Sequence, residues 1–273
     1  MTTGRLRAPP ETHACSAAVS PSGAGRGPEA LGSVGTLIGV GLGPGDPDLL
    51  TVKAVRALEA APVVSYFAKS GRRGNARTIA DRWIPAGAEE APLHYPVTVE
   101  IPFDHPDYVA ALSAFYAAAA ERLAGHLAAG RDVALLCEGD PLFYGSFMHL
   151  YVRLRERFPC AIVPGVTGMS GCWTAAGEPM TWGDDVLTVV PGTLAPEPLL
   201  ARLAAADAAV VMKLGRNLPK VRAALAAAGL LERALYVERG TMAAEVVMRL
   251  ADKPDDAAPY FSVVLVPGRG RRP

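Results

Sequence analysis

The chain has no excess of either charge, because 27 Lys and Arg residues balance 27 Asp and Glu residues. Proteins that bind nucleic acid or anionic membranes through basic surfaces need a large cationic excess, so neither kind of partner is predicted. No apolar run approaches the roughly 18 residues that a membrane-spanning helix requires. With 50% hydrophobic and 20% charged residues, the 273-residue chain has the composition of a globular protein with one large or two modest domains.

The patterns of metal and disulfide sites are also missing. The four cysteines form no CxxC pair and the five histidines have no ligand spacing, so neither a bound metal nor a disulfide framework is predicted. Thiols of this kind are typical of a reducing cytosol, which predicts a cytoplasmic protein. The first 35 residues lack the apolar segment of a secretory signal. Residues 1–34 are predicted to form a flexible tail, with a cleaved organelle peptide as the alternative.

Short apolar runs alternate with helical patterns from Thr36 onward, which is typical of an α/β fold. The first set of strands is predicted at 36–41, 62–67, 132–140 and 161–163. Its helices are predicted at 49–61 (capped by Asp46 or Asp48), 75–83, 108–129, 147–158 and from Thr167. A second set, after a polar stretch from Glu178, comprises strands at 186–190, 208–214, 234–238 and 260–266 and helices at 198–206 and 218–228. We therefore predict two α/β domains, residues 35–180 and 181–273, after the tail.

A glycine-rich loop, GVGLGPGD at residues 39–46, joins the first strand to the first helix. It is not a Walker loop, because no Gly-Lys-Ser/Thr follows. It does not match a dinucleotide fingerprint either, because Pro44 occupies the third glycine position and the next strand ends in Ser65-Tyr66-Phe67 without a carboxylate. Proline also removes an amide that an anion would need. The loop therefore favours a neutral or cationic nucleoside, with a tight turn that binds no ligand as the alternative.

Two further turn-rich segments follow strands, at residues 138–146 and 164–168. Because the carboxyl ends of parallel strands share one edge of a sheet, these segments and the glycine loop are expected to meet there. Each segment alone is most simply a turn. Three of them at one edge predict a ligand-binding cleft.

Four segments in order carry a resemblance to a known family: VGLGPGDPDLLT (40–51), CEGDPLFYGS (137–146), VPGVTGMSG (163–171) and VMKLGRNLP (211–219). Together they resemble the tetrapyrrole (corrin/porphyrin) methylases, and within that family the subgroup that methylates C-20 of precorrin-2 to give precorrin-3A in cobalamin biosynthesis. The resemblance covers about residues 35–266. It implies two α/β domains with the active site in the cleft between them, a homodimer, and S-adenosylmethionine as methyl donor.

The resemblance also implies which residues bind the cofactor. Carried over by position, they are Gly43, Pro44, Glu138, Gly139, Asp140, Phe143, Thr167, Gly168, Met212 and Gly240. One position departs from the uroporphyrinogen methylases, which have an acidic residue where this chain has Phe67. An acid–base role is therefore not carried over from them.

Methyl transfer requires a nucleophilic carbon aligned about 3 Å from the methyl group, and afterwards a proton is lost from the methylated carbon. Tyr66 and Glu138 are candidates for assisting that loss, against the alternatives of a packed strand-end tyrosine and a hydrogen-bonded loop carboxylate. The tetrapyrrole substrate carries many carboxylates, so its site should offer cations. Residues 60–80 and 208–231 contain basic but no acidic residues. Their candidates for substrate binding are Lys69, Arg72, Arg77 and Lys213, with ordinary solvated surface as the alternative.

Other functions stay open at this point. The substrate could be cobalt-precorrin-2 of the anaerobic route or another tetrapyrrole. Relatives of the same fold methylate ribosomal RNA or diphthamide precursors, and the neutral charge argues against RNA. A nucleotide-binding regulatory module without catalysis is the non-enzymatic alternative.

Overall fold

A computed structural model describes residues 33–96 and 105–270. The first of the two sheets in these ranges contains β1 (Leu37–Gly41), β2 (Val63–Lys69), β3 (Glu89–Tyr95), β4 (Val133–Cys137) and β5 (Cys160–Val163). Their order is β3-β2-β4-β1-β5 and every pairing is parallel. All five strands therefore end at one edge, with β4, β1 and β5 as neighbours.

Helices cover both faces of the first sheet, as a parallel sheet requires. They are α1 (Val52–Ala60), α2 (Asn75–Ile79), α3 (Pro106–Ala128) and α4 (Phe147–Leu154). The apolar sides of α1 and α2 pack on one face, and those of α3 and α4 on the other. Every residue of the central strand β4 is consequently buried.

The second sheet is mixed. It contains β6 (Leu187–Pro191), β7 (Ala208–Met212), β8 (Leu235–Glu238), β9 (Val246–Arg249) and β10 (Ser262–Val266), in the order β6-β7-β10-β8-β9. Strands β6 and β7 are parallel, and the other pairings are antiparallel. Helices α6 (Pro196–Ala204) and α7 (Leu218–Ala227) pack on one face.

The other face of the second sheet is covered by a helix that follows the first sheet in the chain. Helix α5 (Gly168–Ala176) comes directly after β5. Its Cys172 is buried against Val210, Val237 and Leu265 of the second sheet. Helix α5 is thus part of the chain that links the two sheets, and it packs on the second of them.

The α/β fold class predicted from the sequence is confirmed, with local differences. Helix α1 begins at Val52 and is capped by Thr51, whose hydroxyl accepts from Ala54 N at 3.1 Å. Asp46 instead caps the short 3-10 helix Pro47–Leu49, by accepting from Asp48 N. Strands β3 and β9 were not predicted, and both lie at sheet edges.

Two further predictions, the N-terminal tail and the domain boundary, stay predictions. The predicted tail, residues 1–34, lies outside the described residues except for its last two residues. The predicted domain boundary at residue 180 stays a prediction, since α5 precedes it in sequence but packs on the second sheet. Across residues 33–96 and 105–270, no helix is long and apolar enough to cross a membrane.

Candidate active site

The three loops predicted to form a cleft touch one another at the carboxyl edge of the first sheet. Gly139, after β4, donates its N–H to the carbonyl of Gly43 at 2.8 Å, and Gly43 N donates back to Gly139 O at 3.4 Å. Asp140 accepts from the backbone N–H of Gly165, after β5, at 3.1 Å, and from that of Leu142 at 2.9 Å. Asp140 therefore ties the second loop to the third.

Glycine is required where these loops cross. A Cβ on Gly41 would lie 2.5 Å from Gly165 N, and one on Gly165 would overlap the carbonyl oxygen of Gly139. Gly43 and Gly139 also have φ of +76° and +66°, which residues with a side chain rarely adopt. The glycines thus allow three backbones to approach more closely than side chains would permit.

Helix α5 and a loop of the second sheet pack against the glycine loop. A Cβ on Gly171 of α5 would lie 2.7 Å from Cγ of Pro44, and one on Gly45 would lie 2.8 Å from Sδ of Met242. Gly240 contacts α5 in turn, because its Cβ would lie 3.0 Å from the Cα of Cys172. The predicted cofactor residues of the two sheets therefore converge on the start of α5.

Met212, Phe143 and Thr167 complete that predicted set. Met212 ends β7 and packs against the same apolar cluster as Cys172. Phe143 is half-buried with its ring 4.9 Å from that of Tyr144. Thr167 caps α5, with its hydroxyl accepting from Ser170 N at 3.4 Å.

The converging residues fit an uncharged or cationic nucleoside cofactor. A Cβ on Gly168, at the start of α5, would meet nothing within 4 Å, so open space remains there. The buried hydroxyl of Thr241 has no hydrogen-bond partner among the described residues. Pro44 offers no amide to an anion, and Glu138 and Asp140 are acidic. This set suits a positively charged ligand better than a phosphate.

Glu138 lies directly after β4 and is half-buried. Burial raises the pKa of its carboxyl, and its own backbone N–H and then that of Ala76 partly oppose that shift. The charge of Glu138 is in turn the largest cause that raises the pKa of Tyr260. Tyr260 precedes β10 and is 77% exposed. A phenol from the segment before β10 therefore lies within electrostatic range of this carboxylate, which the sequence did not predict.

Tyr66, the other catalytic candidate, is buried in a hydrogen-bonded network. Its hydroxyl donates to Glu90 at 2.7 Å. Arg77 binds both oxygens of Glu90, at 2.6 and 2.8 Å, and lowers the pKa of that carboxyl to about 2. Burial, followed by the Glu90 bond, raises the pKa of Tyr66. These contacts favour the alternative of a packed strand-end tyrosine.

The four predicted substrate cations differ in what they already contact. Arg77 is 11% exposed and also pairs with Asp81 at 2.7 Å, so its guanidinium is engaged within the fold. Lys69, at the end of β2, and Arg72 are exposed. Lys213, directly after β7, places its ammonium 5.0 Å from the ring centre of Tyr144.

An aromatic cluster that the sequence did not predict lies beside the loop after β4. The hydroxyls of Tyr95 and Tyr116 bind Ser146, at 2.6 and 3.1 Å. Phe67 stacks on Tyr95 with ring centres 5.4 Å apart, and His149 stacks on Tyr116 at 4.3 Å. Phe67, which stands where uroporphyrinogen methylases have an acidic residue, thus belongs to this aromatic cluster.

Comparison with known proteins places the chain in a family. The family model for tetrapyrrole (corrin/porphyrin) methylases matches residues 36–252, and the chain belongs to this family. That match confirms the resemblance read from the four motifs and, with it, the predicted methyltransferase class. The chain is 60% identical over 240 residues to a precorrin-2 C(20)-methyltransferase from Sinorhizobium sp, covering 88% of this chain and 98% of that protein.

Two more distant relatives complete the comparison. A cobalt-precorrin-2 C(20)-methyltransferase of Salmonella typhimurium is 32% identical, over 85% of this chain and 96% of that protein. A solved uroporphyrin-III C-methyl transferase from Thermus thermophilus, complexed with S-adenyl homocysteine, superposes with a TM-score of 0.60 at 27% identity. It covers 85% of this chain and 96% of that chain.

Proposed function

We propose that the chain transfers the methyl group of S-adenosylmethionine to C-20 of precorrin-2, giving precorrin-3A in cobalamin biosynthesis. The observation that carries this proposal is the joined edge of three loops and α5, where glycines and carboxylates suit a cationic nucleoside. The choice of substrate is supported by 60% identity to the Sinorhizobium enzyme, against 32% to the Salmonella cobalt-precorrin-2 enzyme.

The predicted cofactor residues divide by role. The floor of the proposed cofactor site consists of backbone atoms of Gly43, Pro44 and Gly139. Asp140 holds the third loop against this floor. Gly168 leaves room at the start of α5, and we assign the remaining cofactor contacts to Thr167, Phe143, Met212 and Gly240. When bound, S-adenosylmethionine supplies a methyl group on a positively charged sulfur, which the carboxylate of Glu138 would favour.

Glu138 is the residue that we assign to removing the proton from C-20 after methylation. A general base is most effective when its pKa approaches the working pH, and burial raises the pKa of this carboxyl. Tyr66 is less suited, because its hydroxyl already donates to Glu90. The protein otherwise acts by aligning the substrate carbon and excluding water.

The substrate's carboxylates are proposed to bind Lys69, Arg72 and Lys213, with Arg77 holding the adjoining loop through Glu90 and Asp81. Arg72 is the clearest residue to test, since its side chain is exposed. Arg72→Ala should raise KM for the tetrapyrrole without changing affinity for S-adenosylhomocysteine. Arg56→Ala, which removes an exposed arginine from α1, is the matched control and should leave both constants unchanged.

We also propose that the enzyme is a cytoplasmic homodimer that acts on a small molecule, without nucleic-acid or membrane partners. This follows the family resemblance and the neutral net charge. Light scattering during size exclusion tests the dimer directly, and a monomeric mass at micromolar concentration would contradict it.

The test of function is incubation with labelled S-adenosylmethionine and each of precorrin-2, cobalt-precorrin-2 and uroporphyrinogen III. Label should enter precorrin-2 fastest, at C-20. Label that enters only uroporphyrinogen III would overturn the proposal, and faster labelling of cobalt-precorrin-2 would reassign the substrate.

Two variants test the role of Glu138. Glu138→Gln should lower kcat by about 10²-fold and remove the acidic limb of the pH profile. Tyr66→Phe should keep that limb. If the two variants had the reverse effects, the proton would be assigned to Tyr66.

A further inference from the structure

Two side chains from different sheets meet beside the proposed active site. Tyr144 lies in the loop after β4, and Lys213 comes directly after β7. The ammonium of Lys213 lies over the Tyr144 ring, 5.0 Å from its centre. Tyr144 is 41% exposed, so the ring does not serve as core packing. The contact is an exposed cation–π interaction beside the proposed active site.

Both residues are held in the left-handed backbone region. Their φ angles are +54° for Tyr144 and +56° for Lys213. Bulky residues rarely adopt this conformation, and where they do, functional sites and ligand clamps are common. Glycine would adopt either conformation without strain. The presence of tyrosine and lysine there instead indicates that their side chains have a role.

The backbone around Lys213 fixes where its side chain starts. Asn217 donates its side-chain amide to Lys213 O at 3.3 Å, and Gly192 N donates to Met212 O at 2.6 Å. The next residue, Leu214, is 1% exposed. The backbone on both sides of Lys213 is held in place, so the position of the ammonium depends on the flexible side chain. The contact with Tyr144 fixes that position.

The surroundings of Lys213 are cationic. No carboxylate of a described residue lies within ion-pair distance of its ammonium. The positive charges of Arg153 and Lys213 help burial to lower the pKa of His149. Arg153 itself lies 5.9 Å from the Tyr116 ring centre. The guanidinium of Arg153 donates to the carbonyl of His149 at 2.7 Å and, within the part of the chain that the structure describes, pairs with no carboxylate. Two cations in this position attract a carboxylate.

We propose that Tyr144 is a positioning residue that holds the ammonium of Lys213 across the cleft to bind one carboxylate of the substrate. This rests on the proposed function, which supplies a substrate with acetate and propionate groups. Lys213 contacts the carboxylate, and Tyr144 acts through Lys213. Because the two residues come from different sheets, the contact forms only when the sheets are arranged as observed.

A double-mutant cycle tests the proposal with Tyr144→Leu, Lys213→Met and the combined variant. The readouts are KM for precorrin-2 and, separately, calorimetric affinity for S-adenosylhomocysteine. Tyr144→Leu should raise KM about two- to fivefold, the size of an exposed cation–π contact, and Lys213→Met about tenfold or more, as for a charged hydrogen bond. The combined variant should be no worse than Lys213→Met alone. Tyr144→Phe, which keeps the ring, should retain the wild-type KM.

Additive effects in the combined variant would overturn the proposal, and so would a Tyr144→Phe variant as impaired as Tyr144→Leu. Unchanged affinity for S-adenosylhomocysteine shows that each variant is folded. If the wild-type protein methylated none of the tetrapyrroles, the proposed function would fail first. A wild type that methylates precorrin-2 together with an additive cycle rejects the Tyr144–Lys213 contact alone.

Discussion

Replacing Gly165 with alanine perturbs the point where all three loops of the proposed site meet. The added Cβ would overlap the carbonyl oxygen of Gly139 and lie 2.9 Å from both the Cα and the carbonyl carbon of Gly41. These neighbours are all backbone atoms, so no side chain can rotate to make room. The loops after β1, β4 and β5 would have to separate.

The size of the effect follows from that geometry. Overpacking typically costs about 1–3 kcal/mol, and we expect the upper end, because separation also strains the Gly43–Gly139 backbone pair and the Asp140–Gly165 hydrogen bond. For a chain of this length, about 3 kcal/mol corresponds to a melting temperature lowered by ~6–12 °C. Affinity for S-adenosylhomocysteine should fall as well, since the separated loops are the proposed cofactor floor.

Gly168→Ala is the matched control, three residues further along. Its Cβ would meet nothing within 4 Å, and the residue begins helix α5, where alanine is the better helix former. Scanning calorimetry should find its melting temperature equal to the wild type or slightly higher. If Gly165→Ala melted within about 2 °C of Gly168→Ala, less than 1 kcal/mol would separate them, and the crossing of the loops would not be tight.

Three further predictions concern charge and strain. Burial raises the folded-state pKa of Glu138, so ionising this carboxyl costs stability as pH rises. Glu138→Gln should therefore have a higher melting temperature than the wild type at pH 8, and the difference should disappear below about pH 4. An equal difference at both pH values would contradict this. The pKa of Glu90 is lowered to about 2, chiefly by Arg77, so Glu90→Gln should be less stable than the wild type at pH 7. The difference should shrink as pH falls toward 2 and vanish only below it; a difference that does not shrink would point to packing instead. Lys213→Gly should melt about 2–4 °C above Lys213→Ala, because glycine removes roughly 1 kcal/mol of left-handed strain; equal melting would show that the position is unstrained.

The elements around the proposed cofactor site could be predicted because they are buried. Strand β4 is apolar throughout and lies between two strands, and the glycine loops follow buried strands directly. Strand β3 could not be predicted in this way. It lies at the sheet edge and contains Glu89, Glu90 and Pro92, and a proline is tolerated only where no neighbouring strand needs its N–H.

The contacts of individual side chains around the proposed site could not be predicted for a different reason. Tyr66 binds Glu90, which lies 24 residues away on the unpredicted strand. Lys213 meets Tyr144 only because the two sheets are brought together. A sequence pattern reports which faces are buried, whereas these pairs depend on tertiary geometry. The same limit explains why the sequence offers Tyr66 and Glu138 side by side, without the hydrogen bond to Glu90 and the burial that distinguish their surroundings.

Backbone strain points to the same part of the molecule from independent geometry. Four non-glycine residues among the described ones have φ in the left-handed region: Tyr144, Lys213, Arg239 and Thr241. Tyr144 follows β4, Lys213 follows β7, and the other two flank Gly240 after β8, in the loop that packs on α5. At about 1–2 kcal/mol each, the four conformations together cost a large part of the ~5–15 kcal/mol by which folded proteins are typically stable. Two five-stranded sheets with buried central strands can sustain that cost. They sustain it in the loops beside the proposed cleft, which is the distribution expected if these backbones are shaped for a ligand.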